Sequence, residues 1–325
     1  YRLQGLLLSF HESITILPTS TTQSTSISRH RIKSGENTTF RKRFETNLKL
    51  LDSYKHYYGD KDVFDDLKHY QGHFDINSNG EIYTSDNDTS KGLIKIYQIH
   101  PQSDGLAQRA DYIKKQNTVD ATWLLHGVGD GSLLELLLNL TEYNGQWLDY
   151  QQIVYLLDPH LEIIASWLHL REISKLLLDN RLHIFFGPRC NEQFIAHLKE
   201  NEYAPIPNLF LPNTYTDNSG LKVCISEINL INNELTQRSQ QLKTELDNYY
   251  KGKNKSYWKS RYDKNSKLNV IGLTTRMSSF IQYCARDLAD GFNEAGHNVI
   301  LLIEPRADTR LRATTILETI RKEKA

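Results

Sequence analysis

Trp123-Leu124-Leu125-His126-Gly127-Val128-Gly129-Asp130-Gly131-Ser132-Leu133-Leu134 is the stretch that decides the fold. A short apolar run passes into Gly-x-Gly-x-Gly and then directly into a leucine-rich segment. Such a run, bounded by turn residues, reads as a strand buried on both faces, and the leucines after it read as a helix. Alternate glycines let the backbone turn tightly and come close to a ligand, and the helix N-terminus behind them favours an anion or a polar nucleoside edge. The next strand ends in Leu156-Leu157-Asp158-Pro159. That puts a carboxylate at its carboxyl end, where an open α/β sheet places the acid that binds ribose hydroxyls. Gly127, Gly129, Asp130, Gly131 and Asp158 are therefore the candidate nucleoside-binding residues. The competing reading of the same glycines is a tight turn kept for close helix packing.

Outward from this stretch, apolar runs at Thr122–Leu125, Ile153–Leu157 and His183–Phe186 alternate with helical patterns over Ser132–Leu140 and Leu161–Leu178. Strands alternating with helices predict an α/β fold with a Rossmann-like parallel sheet, over about residues 118–220. A further helix is expected over Cys190–Asn201. Ala204-Pro205-Ile206-Pro207 and Pro212 then mark an extended connection. Upstream, Phe44, Leu48, Leu51, Tyr54 and Tyr58 recur at helical spacing, predicting one helix from Phe44 to about Tyr70. Asn77-Ser78-Asn79-Gly80 and Asp86-Asn87-Asp88 are turn chemistry around short strands at Ile82-Tyr83 and Leu93–Tyr97, and a helix follows over Asp104–Lys115. Residues 41–117 thus form an amino-terminal α+β cap. From Ser13 to Thr39, 13 of 27 residues are Ser or Thr. That composition cannot offset its ordering entropy, so residues 1–40 are expected to be disordered.

Downstream, Ile228, Ile231, Leu235, Leu242 and Leu246 form one narrow helical stripe, suited to packing back on the domain or to a coiled-coil partner. Lys251 to Lys267 is basic and aromatic, and reads either as a solvated linker or as an RNA-binding patch. Residues 221–267 are the connector. A second αβ pattern opens at Leu268: a strand to Leu273, a helix over Ser279–Glu294 with Phe280, Tyr283, Leu288 and Phe292 inward, and a strand over Val299–Ile303. Residues 268–325 are too few for a doubly wound domain, so this second Rossmann-like domain reads as truncated. The opening at Tyr1 and the single methionine, Met277, fit a piece of a longer protein.

Composition excludes several classes. The chain carries 39 Lys+Arg against 39 Asp+Glu and a pI near 7.3, so no basic excess marks it as a dedicated nucleic-acid binder. Cys190, Cys224 and Cys284 lie far apart without ligand spacing, which fits a reducing, cytoplasmic setting. The apolar run Leu133–Leu138, interrupted by Glu135, is far shorter than a membrane span, so none is expected. His126, His160, His169, His183 and His197 crowd one region but lack the His-Glu-x-x-His spacing of a zinc hydrolase, and no metal is expected. Neither a Gly-x-Ser-x-Gly elbow nor a P-loop is present.

The order Gly-x-Gly-x-Gly then Asp158 resembles the cofactor loop of S-adenosylmethionine-dependent methyltransferases. Where those carry a polar or acidic residue after the third strand, Phe186-Gly187-Pro188-Arg189 stands here. A longer resemblance spans about residues 44–215: Phe44, Asn47, Leu48, Asn79-Gly80, Pro101, Ala107, the glycine loop and Leu157-Asp158-Pro159. In that order they are similar to the amino-terminal domain of motility accessory factor-like proteins, a family that includes flagellin glycosyltransferases. The family's central domain, with its Gly-Pro-Ser motif, is absent, so none of its transferase residues carries over. Val270–Leu273, Arg276, Arg286-Asp287-Leu288-Ala289 and Ala295-Gly296-His297-Asn298-Val299 are similar to the opening β-α-β of GT-B glycosyltransferases. That likeness implies Thr274, Thr275 and Arg276 on the acceptor side, although Arg276 fits a surface salt bridge equally well. Together the resemblances imply the amino-terminal portion of a nucleotide-sugar-dependent glycosyltransferase acting on a glycan or protein acceptor. The alternatives are an S-adenosylmethionine-dependent methyltransferase and a non-catalytic protein-docking module of a glycosylation system.

Overall fold

The computed structural model describes residues 30–33, 38–69, 73–76, 82–88, 93–98, 103–116, 118, 121–141, 152–178, 181–213, 218–263, 267–274, 279–303 and 311–323. At its centre lies a parallel sheet of β5 (Thr122–His126), β6 (Ile153–Asp158), β7 (Leu182–Phe186) and β8 (Leu209–Pro212), in the order β7-β6-β5-β8. The chain winds from β5 outward through β6 to β7 and then returns to place β8 on the other side of β5, all four strands parallel. The reversal at β5 creates a topological switch point, and the crevice outside the carboxyl ends of the strands there is where such sheets bind ligands. The connection expected after Ala204 is thus partly a strand: Pro212 ends β8 opposite His126, at an edge where its missing N–H costs no ladder bond.

Each face of this sheet has its own apolar layer, because side chains alternate along a strand. Trp123, Leu125, Val154, Leu156, Ile184 and Phe186 face one way, onto α4 (Ser132–Leu140) and α5 (Leu161–Leu170). Leu124, Tyr155, Leu157 and Phe185 face the other, onto α7 (Cys190–Glu200) and α8 (Asn218–Tyr250). The single helix expected over Leu161–Leu178 is broken. It stops at Arg171, whose backbone is extended at φ −115° and ψ 148°, and a short α6 (Ser174–Leu177) follows. Asn47 causes the break. Its buried amide donates to Leu168 O and Arg171 O, both at 2.7 Å, and so satisfies carbonyls that a continuing helix would have used.

Asn47 lies on α1 (Thr38–Asp52), and α2 (Lys61–His69) follows it. The one long helix expected from Phe44 to Tyr70 is therefore two. Between them His56–Tyr58 runs alongside β7: Ile184 N donates to His56 O at 2.9 Å and Tyr58 N donates to Ile184 O at 2.9 Å. Phe44, Leu48, Leu51, Phe64 and Leu67 of these helices are buried in the same apolar layer as Trp123 and Leu156. An antiparallel sheet runs in the order β1 (His30–Lys33), β2 (His73–Ile76), β3 (Ile82–Asp88), β4 (Leu93–Gln98). β1 and the start of α1 fall inside the stretch 1–40 expected to be disordered. Asp86-Asn87-Asp88, expected as a turn, is the end of β3, opposite Leu93–Lys95. The turn expected at residues 77–80 lies outside the described residues. Next comes α3 (Ser103–Gln116), as expected.

After α8 come α9 (Lys255–Asp263), β9 (Asn269–Thr274), α10 (Ser279–Glu294), β10 (Asn298–Ile303) and α11 (Ala313–Glu323), with β9 and β10 paired in parallel. Leu288 and Phe292, expected inward on α10, are 65% and 41% exposed. The buried small residue Ala289 takes the inner face instead, over a sheet that has two strands among the described residues. The side chains of Phe280 and Tyr283 lie outside the described residues.

Candidate functional site at the switch point of the parallel sheet

The glycine loop leaves β5 at the switch point, and every residue from Ala121 to Gly131 is buried. Gly127, Gly129 and Gly131 have φ of 94°, 61° and 89°, the left-handed region that side-chain-bearing residues rarely adopt. Gly131 also has no room for a side chain: a Cβ there would lie 2.5 Å from Trp167 Nε1. Close helix packing and the tight turn therefore coexist at this residue.

The two acids of the candidate set are both turned into the loop. Asp158, fully buried at the end of β6, accepts Val128 N–H at 2.8 Å on one oxygen and His160 N–H at 3.0 Å on the other. Gly127 N donates to Leu157 O at 2.7 Å, so the loop is stitched to the end of β6 by two successive backbone donors. Asp130, 1% exposed, accepts Ser132 N–H at 3.0 Å and the Ser132 hydroxyl at 2.8 Å. It supplies negative charge to the N-terminus of α4, the position a ligand phosphate would take.

Arg171 completes this arrangement from 41 residues away. Its guanidinium donates to Asp130 Oδ2 at 3.1 Å, to Asp130 O at 3.1 Å and to Ser132 Oγ at 2.7 Å. The extended backbone set by Asn47 turns Arg171 out of the line of α5 toward the loop. On the other side of the loop, Asn213 follows β8; its N–H donates to His126 O at 2.8 Å and its side-chain amide to Gly127 O at 3.3 Å. Neither Arg171 nor Asn213 carries a motif, so nothing local in the sequence pairs them with the glycines. The loop after β7, where the methyltransferase pattern would place a polar residue, is closed by packing. Gly187 has φ 98°, and a Cβ there would lie 2.7 Å from Val63 Cγ1 of α2.

Beside the crevice sit two thiols. Burial pushes the Cys190 thiol up, with Asp158 and Cys224 adding to it, and pushes Cys224 up to about 12. Both stay protonated at neutral pH and supply no thiolate nucleophile. On the same face of the sheet, His183, His56 and Tyr58 cluster, with Tyr58 Oη 3.1 Å from His183 Nδ1. His197 lies near them, its pKa lowered to about 4 by burial, then by Arg312 and His56. Among the described residues no group of three or more His, Cys, Asp or Glu side chains could hold a metal ion.

Thr274, the acceptor-side candidate, ends β9 opposite Ile303. Thr275 and Arg276 lie outside the described residues. The fold thus brings the loop residues Gly127, Gly129, Asp130 and Gly131 together with Asp158 at the end of β6, while Thr274 belongs to the separate β9–β10 pair. Among the described residues no helix is long and apolar enough to cross a membrane.

No protein-family model and no curated protein matches the chain. Among solved structures it is similar to the MAf glycosyltransferase from Magnetospirillum magneticum AMB-1, at 10% identity and a TM-score of 0.38, over 82% of this chain. The match spans 57% of that protein's length.

Proposed function

We propose that the chain is the amino-terminal portion of a glycan-modification protein, and that its parallel module acts there as a docking and scaffold element. The observation that carries this reading is the internal use of the loop's acids: Asp158 holds Val128 and His160, and Asp130 holds Ser132 and Arg171. The phosphates of a nucleotide sugar would have to displace Asp130 from a helix N-terminus where it already accepts from Ser132 and pairs with Arg171. A ribose would have to draw Asp158 away from two backbone donors. The motif order shared with motility accessory factor-like proteins supports the glycan-modification setting.

A second reading keeps the loop as a nucleoside site, formed by Gly127, Gly129, Asp130, Gly131 and Asp158. It would serve a nucleotide-sugar-dependent glycosyltransferase or an S-adenosylmethionine-dependent methyltransferase, with Thr274, Thr275 and Arg276 facing the acceptor in the former. The left-handed glycines at the switch point favour it, because that backbone lets a ligand come close. Calorimetry separates the readings. S-adenosylmethionine, S-adenosylhomocysteine and a panel of nucleoside phosphates and their sugars are titrated into the wild type and into Asp158→Ala. The docking reading expects no binding heat from any of them and a loss of thermal stability in the variant. Selective binding of nucleotide sugars, lost in Asp158→Ala, would replace it with the transferase; binding of the methionine-derived ligands alone would replace it with the methyltransferase.

A further inference from the structure

The corner where α8 turns into α9 carries five cations in eleven residues: Lys251, Lys253, Lys255, Lys259 and Arg261. None of the five makes an ion pair with a described carboxylate. In a chain of zero net charge this is a local positive island rather than a general basic character. Rings lie among the cations. Tyr249 is 38% exposed, and Tyr250, Tyr257 and Trp258 are half-buried, with Tyr257 and Trp258 edge to face at 5.1 Å.

The geometry of the rings decides which anion fits. A single-stranded nucleic acid needs open aromatic faces on which bases stack. Here Lys253 Nζ sits 3.0 Å from the centre of the Tyr249 ring, and Arg261 lies 5.9 Å over Tyr257. The protein's own cations occupy those faces. What remains for a partner is outward positive charge on Lys251, Lys255 and Lys259, with the half-buried Trp258 among them. That combination suits the headgroup layer of an anionic bilayer, where basic residues meet lipid phosphates and carboxylates and amphipathic rings settle at the interface. The corner also stands clear of the parallel sheet. α8 has 33 residues, and its first half, through Cys224, Ile228 and Ile231, packs on that domain. At 1.5 Å per residue its far end lies about 50 Å along the helix.

We propose that the end of α8, the turn at Gly252 and α9 form a peripheral docking surface for anionic phospholipid membranes. This is independent of how the glycine loop is read. The test is co-sedimentation of the chain with phosphatidylcholine vesicles, with and without phosphatidylserine. Three proteins are compared: wild type, the triple variant Lys251→Glu/Lys255→Glu/Lys259→Glu, and a control with the same charge change at exposed positions elsewhere, Lys42→Glu/Lys49→Glu/Lys114→Glu. Circular dichroism checks that both variants fold. Wild type and control are expected to bind only the phosphatidylserine vesicles, and the corner variant to bind at least about tenfold more weakly. Raised salt should release the bound protein. Absence of wild-type binding would overturn the proposal, as would equal loss in the control. Tighter binding to a single-stranded oligonucleotide than to the vesicles would overturn it in favour of the nucleic-acid surface.

Discussion

The chain builds two parallel sheets from strands of the same kind, and they end in different environments. Trp123-Leu124-Leu125 and Ile153-Val154-Tyr155-Leu156-Leu157 are wholly buried, whereas Val270-Ile271 and Val299-Ile300-Leu301-Leu302 are only half-buried. All four are near-continuous apolar runs, the pattern of strands covered on both faces. The first sheet achieves that cover with four strands, α4 and α5 on one side, and α7 and α8 on the other. In the second, among the described residues, α10 packs on two strands with Leu288 and Phe292 turned outward. Strand identity is written in the strand itself; burial depends on how many layers arrive to cover it.

The largest expected effect compares a glycine from each sheet. Gly131→Ala must adopt φ 89° and place a methyl 2.5 Å from the fully buried Trp167 indole. Left-handed strain of about 1–2 kcal/mol and overpacking of about 1–3 kcal/mol together predict a loss of roughly 2–5 kcal/mol. Gly272→Ala in β9 meets only the tip of Leu301, 2.6 Å away, on a half-buried side chain that can rotate. Its cost is expected to stay within about 1 kcal/mol. Urea midpoints, with far-UV circular dichroism reporting both regions, check the pair. Equal losses would mean that the second sheet is packed as tightly as the first, and the contrast would fail.

The same contrast explains what was legible in advance. β5, β6, β7, α4, α10 and β10 were readable to within about two residues because each is a local pattern bounded by its own punctuation. The glycine loop and its neighbour Asp158 were readable for the same reason. What escaped was set by distant residues. Asn47 on α1 ends α5, and no feature between Leu161 and Leu178 announces it. Arg171 then reaches Asp130, turning a surface-looking arginine into a brace of the loop. Leu209–Pro212 is short and proline-bounded, and becomes a strand only because β5 offers it an open edge. Ala289 takes the inner face of α10 in place of Leu288 and Phe292, over a sheet that has two strands among the described residues.

A medium effect lies in pH, and it centres on the well-covered region. His197 has a folded pKa near 4, against an ordinary value near 6.5, because burial disfavours the imidazolium and Arg312 and His56 repel it. The unfolded chain therefore takes up this proton first as pH falls. The stabilisation is complete above about pH 6.5 and is lost between there and about pH 4. His169 shifts in the same direction through burial, despite its donor bond to Ala165 O, so it steepens the same window. After allowance for its exposed edge, His197 should account for on the order of 1–2 kcal/mol. Unfolding free energies of wild type and His197→Gln, measured from pH 7.5 down to pH 4.5, should converge as the pH falls. A constant gap would show that the imidazole is no more buried than one at the surface.

The smallest effects test how the poorly covered region is held to the well-covered one. α11 follows β10 and lies against α8, where Arg238 pairs with Glu318 at 3.0 Å and Arg321 with Glu245 at 3.4 Å. These pairs are substantially exposed, so Arg238→Ala or Arg321→Ala should each cost no more than about 0.5 kcal/mol, and less in high salt. Arg312, just before α11, is different: half-buried, it donates to Leu198 O at the end of α7 and to Ala204 O at 3.2 Å. Arg312→Ala leaves two carbonyls without that donor and should cost about 1–3 kcal/mol. It should also raise the His197 pKa, since the arginine's charge is one of the causes holding it down. Proton NMR titration of His197 reads that shift directly. If Arg312→Ala and Arg238→Ala prove equal in stability and the His197 titration does not move, α11 is held by surface charge alone. The second αβ unit would then be attached to the parallel module no more firmly than by its chain connection and a few screened ion pairs.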